Sequence, residues 1–263
     1  MAPLITLITD FGIEDTYAGV LKGVILSISP GCRIVDITHH IPPQDVRAAC
    51  FALSTAYAYF PKGTIHLVIV DPGVGGTRRP LLIETEDYFF IGPDNGVFTA
   101  ILVKLGLKSV IEITNREYFL EEVSSTFHGR DIFAPVAAHC ANGCPSSRFG
   151  PPVSDYVLLD WPQPSVVKPG EAQGTILHID RFGNLVTSFS RDYIKQMTGN
   201  RTFRIECAGR IITQMVPSYS CAQPGELCGV FDSSNYLEIS VTNGSARDIL
   251  NVQCGDSVKI TVG

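Results

Sequence analysis

The sequence is sparing with charge: Asp, Glu, Lys and Arg together make up 17% of its 263 residues. Set beside an apolar content of 45%, that sparsity excludes an intrinsically disordered chain, which lacks core-forming side chains. The charge present leans negative, at −6. A broad nucleic-acid surface needs a basic face, so this balance excludes one while leaving a local anion site open. No run approaches the roughly 20 consecutive apolar residues of a membrane span. The eight cysteines contain no CxxC pair; three residues separate Cys140 from Cys144, and the next pair is Cys221 and Cys228. No zinc framework is therefore expected. Asp36 with His39-His40 has a metal-like composition, but no HxxxH or carboxylate pattern completes it. The N-terminal "PLITLITDFG" lacks a basic leader and reads as a first strand. Free thiols in a reducing cytoplasm are the expectation.

The length exceeds that of one ordinary domain, so two are expected. Residues 4–9, 33–38 and 64–70 read as strands, and 17–29 and 45–60 as helices, the second capped by Asp45 and stopped by Pro61. Strands alternating with helices predict parallel pairing with crossover helices. Residues 80–92 read as a hairpin, 95–106 as a helix ending at Gly106, 109–114 as a strand and 128–143 as a helix ending at Asn142-Gly143. "LDWPQPSVVKPGEAQG" (159–174) then brings three prolines and a change of texture. Beyond it lie short β-rich runs of the kind that form a small barrel or sandwich. The expectation is an N-terminal α/β domain over 1–163 with a mostly parallel sheet, a linker over 164–172 and an all-β barrel over 173–263.

Four stretches carry polar side chains in suggestive places. Asp10, Asp36 and Asp71 stand at or near the ends of expected strands, where ligands bind in open α/β sheets; aspartates also cap ordinary turns there. "VDPGVGGTRR" (70–79) has the glycines of a phosphate loop. It lacks the following lysine, leads into a strand rather than a helix, and has a carboxylate at its mouth. Its glycines are expected to bend the chain so that Asp71 converges with Arg78, or with Arg79 if Arg78 points away. In "STFHGRD" (125–131), His128 precedes a helix whose dipole disfavours imidazolium, suiting it to accept a proton or bind a water. In "HIDRFGNLVTSF" (178–189), Asn184 offers an amide matched to a base edge and Phe182 a stacking face. "DSSNYLEISVTNGSA" (232–246) adds Ser233, Ser234, Glu238 and Asn243. A structural histidine and plain β-turns are the competing readings of these stretches.

Taken in order, "TDFG" (9–12), "DITH" (36–39), "VDPGVG" with Arg78, "IGPDNGVF" (91–98), "FHGRDIFAP" (127–135), "FGN" after Asp180, and "LEI" with "NGSA" (237–246) resemble the S-adenosylmethionine hydroxide adenosyltransferases. These are adenosine-forming hydrolases related to fluorinase and chlorinase. The resemblance covers nearly the whole chain. It implies a homotrimer with S-adenosylmethionine held between the N-domain of one subunit and the C-domain of the next, and no cofactor or metal. It assigns Asp71, Arg78 and His128 to the attacking water or hydroxide. Asp10 falls on the ribose hydroxyls, Asp180 on the methionine amine and Asn184 on adenine. Ser233 and Glu238 fall near the methionine-binding strand, Asn243 is a further substrate-binding position, and Phe127 lines the pocket. The halogenases carry tyrosine at the position of Asp71 and serine at that of Gly129; a carboxylate repels halide, so water is the expected nucleophile. A non-catalytic module binding S-adenosylmethionine or adenosine is the alternative, and a metal-dependent phosphoesterase built on Asp10, Asp36, His39 and Asp71 ranks behind it.

Overall fold

The structure, a computed structural model, describes residues 2–199 and 201–263. It divides into two compact units, one running to Trp161 and the other from Pro162 to Gly263.

The first unit follows the order β1 (Leu4–Thr9), α1 (Tyr17–Ile28), β2 (Arg33–Thr38), α2 (Val46–Ala56), β3 (Ile65–Ile69), β4 (Pro80–Thr85), β5 (Phe89–Pro93), α3 (Thr99–Lys104), β6 (Leu107–Glu112) and α4 (Ala134–Ala141). One mixed sheet results, in the order β2-β1-β3-β5-β4-β6. Pairings among β2, β1, β3 and β5 are parallel, whereas β4 pairs antiparallel with β5 and β6. The central strands β1, β3, β4 and β5 read as nearly unbroken apolar runs because both faces are covered there. On β3, Ile65, Leu67 and Ile69 pack with Leu21 and Ile25 of α1 and Val136 and Ala137 of α4. Val68, and Val70 just beyond the strand, pack on the other face with Ala49 and Leu53 of α2 and Ile101 of α3. From β1 the chain crosses to β2 on one side and then back to β3 on the other. The point where direction reverses lies between β1 and β3, where open α/β sheets form their binding crevices.

Local chemistry sets the ends of these elements. Asp45 caps α2 by accepting from the Ala48 amide at 2.8 Å. Residues 57–59 tighten into a 3-10 turn before Phe60 becomes extended ahead of Pro61. The helix expected over 95–106 covers only 99–104. Gly96 sits at φ +90° and Asn95 is engaged in side-chain bonds, so the first four residues form a turn. Gly106 does not cap it: Leu105 is already extended and leads into β6. The helix expected over 128–143 opens with a π turn, Gly129–Phe133, before α4, with Pro135 tolerated in the first turn.

The second unit comprises β7 (Ser165–Lys168), β8 (Glu171–Ile179), β9 (Leu185–Ser190), α5 (Arg191–Thr198), β10 (Phe203–Cys207), β11 (Arg210–Ile212), β12 (Leu227–Phe231), β13 (Tyr236–Val241), α6 (Ala246–Leu250) and β14 (Ser257–Val262). Its antiparallel sheet runs β11-β10-β14-β8-β9-β13-β12, with β7 also on β8. β8 serves two partners: residues 171–175 pair with β14 and residues 176–179 with β9, so the sheet curls. The two ends of the sheet approach through a bridge from Met215 to Gly229, with Gly229 donating to the Gln214 carbonyl at 2.8 Å and Val216 to the Gly229 carbonyl at 2.9 Å. A Cβ at Gly229 would push aside the ends of the Met215 and Ile205 side chains. The result is a nearly closed barrel around Ala172, Ile176, Leu185, Phe189, Ile205, Leu237 and Ile260. Strands β7 and β12 and the two helices extend the runs read from sequence; β7 occupies part of the stretch expected as linker.

Candidate active site

Asp10 follows β1 directly and Asp71 lies two residues beyond β3, on neighbouring strands at the reversal point. The glycine-rich loop after Asp71 folds back so that Arg78 reaches it. The Arg78 Nε lies 2.9 and 3.0 Å from the two Asp71 oxygens, and Nη2 bonds Asp71 Oδ2 as well. Nη2 also lies 2.9 Å from His128 Nδ1. Asp71, Arg78 and His128 therefore meet, whereas Arg79 turns away to Asp94 and Asp155.

Two glycines make that convergence possible. Gly75 has φ +75°, and a Cβ on it would strike the Ser125 carbonyl, so the loop lies directly against the stretch leading to His128. At Gly73 the missing Cβ leaves room for the Arg78 stem, 3.2 Å from where it would stand.

A guanidinium has only donors, so Arg78 donates to Nδ1 and the ring proton of His128 must sit on Nε2. Burial, then the Arg78 charge, lower the His128 pKa below its usual value and outweigh the opposing carboxylates. The site thus holds a neutral imidazole whose N–H also meets the Ser124 backbone, with Arg78 Nη1 the guanidinium nitrogen not engaged by Asp71 or His128. The Arg78 and Asp71 side chains are only 9% and 6% exposed, which strengthens each of these interactions.

Beside this set, Phe127 packs edge-on against Phe11 and Tyr17, with ring centroids 5.8 and 5.3 Å away. Phe11, Tyr17, Ser124, Thr126, Phe127 and Arg130 line a cavity of about 410 Å³. Arg130 lies over the Phe127 ring and pairs with the buried Asp131. Burial raises the Asp131 pKa, but Arg130 and the bonds from Ser124 prevail and lower it. Asp10 accepts from the Gln44 amide at 2.8 Å. Asp36 is not part of this set; it pairs with Lys22 at 2.6 Å and lies 3.2 Å from His39 Nε2. Among the described residues, no group of three or more His, Cys, Asp or Glu is arranged to hold a metal ion.

The second unit gathers the remaining candidates around the β8–β9 turn. Asp180 Oδ1 accepts from the amides of Phe182 and Asn184, and Oδ2 from the Asn184 side chain at 2.9 Å. Asn184 is 7% exposed, and one of its amide protons is thus committed to Asp180. Phe182 is 75% exposed. Gly183 has φ +83° and no room for a Cβ against Ser245, while Arg247 donates to its carbonyl. The "FGN" and "NGSA" stretches, some 60 residues apart in sequence, are thereby clasped together. Glu238 on β13 is buried, and its Oε1 accepts from Tyr219 at 2.8 Å and Ser240 at 2.5 Å. Burial raises its pKa against those bonds, with help from the nearby charges of Asp180 and Asp232. Asn243 occupies a left-handed turn position at φ +56° and Ser233 is exposed on the turn before β13. Tyr219, absent from the sequence expectations, lies in an irregular stretch with no periodic signal; the polar run "SYSC" was its only trace.

Comparison with known proteins finds one family over both parts of the chain. Residues 5–150 match the SAM hydroxide adenosyltransferase N-terminal domain, and residues 174–259 match the C-terminal domain of the same family. The chain is 38% identical to a Salinispora tropica protein named (R)-S-adenosyl-L-methionine hydrolase, over 99% of this chain and 98% of the relative. A Methanocaldococcus jannaschii protein of the same name is 35% identical over 98% and 95%. A fluorinase of an Actinoplanes species is 28% identical over 98% and 97%. The fold superimposes with a TM-score of 0.91 on the crystal structure of an uncharacterized conserved protein from Thermotoga maritima, at 37% identity and covering 98% and 99% of the two chains. The chain belongs to the SAM hydroxide adenosyltransferase family.

Proposed function

We propose that this protein hydrolyses S-adenosylmethionine to adenosine and methionine, with the nucleophile held by Asp71, Arg78 and His128. The observation that carries this reading is the meeting of those three side chains at the reversal point of the sheet. The oxygen of water attacks the ribose C5′, the C5′–S bond breaks, and the sulfonium becomes a neutral thioether. That leaving group needs no general acid; the reaction asks only for an oxygen nucleophile in line with the breaking bond. Arg78 Nη1 and the His128 Nε2–H donate to that oxygen and favour hydroxide character. Asp71 keeps lone pairs beyond those bound by Arg78 and takes the water proton.

In this reading, Asp10 holds the ribose diol, Phe127 lines the pocket, and Asn184 faces adenine with its amide set by Asp180. Asp180, Glu238, Ser233 and Asn243 serve the methionine end. The reaction uses no metal. The assembly is a homotrimer with each site shared between neighbouring subunits.

Chromatography of products from S-adenosylmethionine, with chloride and a chelator present, tests the reading. Adenosine and methionine in equal amounts are expected at an unchanged rate. Methylthioadenosine, or 5′-chloro-5′-deoxyadenosine, would contradict it; tight binding without turnover would favour a binding module.

A further inference from the structure

The turn Pro93-Asp94-Asn95-Gly96 holds both ends of the loop that carries Asp71 and Arg78. Asn95 Nδ2 donates to the carbonyl of Val70, the residue before Asp71, at 2.9 Å. Its Oδ1 accepts from the Val97 amide at 3.1 Å, which fixes the orientation of the side-chain amide. Asp94 holds the other end three ways. Its backbone N–H donates to the Arg79 carbonyl at 2.8 Å, and its Oδ2 accepts from Arg79 Nε and Nη2 at 3.0 and 2.8 Å. Its Oδ1 accepts from the Val157 amide at 2.8 Å, tying the turn to the last segment of the unit. Asp94 is buried, with a side chain 4% exposed, so its charge interacts strongly with Arg79.

Between these anchors lies a loop whose own backbone bonds are few. Val74 donates to the Asp71 carbonyl at 3.2 Å and Gly76 to the Gly73 carbonyl at 3.0 Å. Nothing in those two bonds fixes the distance between the start of the loop and its end. The adjacent pair Asp94 and Asn95 does, because consecutive residues of one turn grip Val70 and Arg79.

We infer that Asp94 and Asn95 are positioning residues for the reaction, forming a clip that sets the approach of Arg78 to Asp71 and so places the nucleophile. The inference rests on the reading that Asp71, Arg78 and His128 hold that nucleophile. Neither Asp94 nor Asn95 lines the aromatic cavity or the β8–β9 turn, so the clip acts on turnover rather than on substrate binding.

The test is a double-mutant cycle on kcat and KM with purified full-length protein, with adenosine release as the readout and thermal unfolding as a check on folding. Asn95→Asp keeps the acceptor for Val97 and replaces the donor to Val70 with a carboxylate oxygen that repels that carbonyl. Asp94→Asn keeps the contact with Val157 and weakens the grip on Arg79. Either change is expected to lower kcat roughly 10- to 100-fold with KM within about twofold, the cost of misplacing reacting groups by up to an ångström. Introduced into an Asp71→Asn background, Asn95→Asp should change kcat by less than about twofold, because residues acting as a unit are not additive. A folded Asn95→Asp protein with parental kcat, a change confined to KM, or full additivity with Asp71→Asn overturns the clip. In the first of these cases, loss of kcat in Asp71→Asn alone leaves the nucleophile reading standing. Parental kcat in Asp71→Asn overturns both.

Discussion

His128 shows how much one hydrogen bond decides. Because Arg78 donates to Nδ1, protonating the ring would set two donors against each other, and burial adds to the penalty. The neutral form, with its proton on Nε2, is the working one. Turnover is therefore expected to stay level through neutral pH and to fall only below the ordinary histidine value of about 6.5. A kcat–pH profile checks this, and an acid limb centred above pH 7 would contradict it. His128→Ala should lower kcat by about 10²-fold, the usual cost of removing one donor at a developing charge. His128→Gln, which retains a donor, should lose less and should lose the acid limb. Gly75 gives a second contrast at this scale. Gly75→Ala forces a Cβ into the Ser125 carbonyl at a positive φ and should lower stability by about 1–3 kcal/mol. Gly73→Ala meets only the flexible Arg78 stem, so it should unfold at the parental temperature while losing turnover. Melting curves and rates on the two variants separate these outcomes.

At the scale of elements, what the sequence made legible followed from simple periodicity and punctuation. The runs "LITLIT" and "TIHLVIV" became β1 and β3, buried on both faces, while "RIVDIT" became the largely exposed edge strand β2. Asp45 announced α2 as a capping side chain. The expected convergence of Asp71 and Arg78 across "VDPGVGGTRR" is seen in the contact between the two side chains. What stayed hidden depended on tertiary partners. The helical pattern over 95–98 gave way because Asn95 is drawn to the Val70 carbonyl, a contact 25 residues away in the chain. β12, "LCGVF", carries a glycine that weakens any strand signal, yet that glycine is where the bridge from Met215 meets the strand. α5 had a readable Ser190 cap and a Gly199 stop, but its apolar stripe is short, Tyr193, Ile194 and Met197 in an otherwise polar two-turn helix. The Asp180–Asn184 pair was visible as residues; that one side chain orients the other was not.

For the whole molecule, two properties follow. Among the described residues the eight cysteines form no disulfide, so the melting temperature is expected to be the same with and without a reducing agent. His66 is fully buried among Tyr57, Tyr88 and Phe90, and burial lowers its pKa to about 3. The unfolded chain binds that proton below about pH 6.5 while the folded one refuses it, so stability falls as pH drops through that window. The contribution amounts to about 2 kcal/mol between pH 7 and pH 5. Denaturant melts of His66→Phe against the parent at those two pH values should show a smaller pH dependence in the variant. Assembly has its own test. If sites are shared between subunits of a homotrimer, co-refolding inactive Asp71→Ala with inactive Asn184→Ala protein restores about a quarter of the sites; recovery of none would place each site within one chain.

The central claim is that water, held on Asp71, Arg78 and His128, attacks the ribose C5′. Mass spectrometry of the adenosine formed in ¹⁸O-enriched water tests it most directly. The account predicts one ¹⁸O atom in the nucleoside, at the 5′ oxygen, with formation suppressed in Asp71→Asn. Adenosine without the label, or label incorporated at the parental rate in Asp71→Asn, would contradict it.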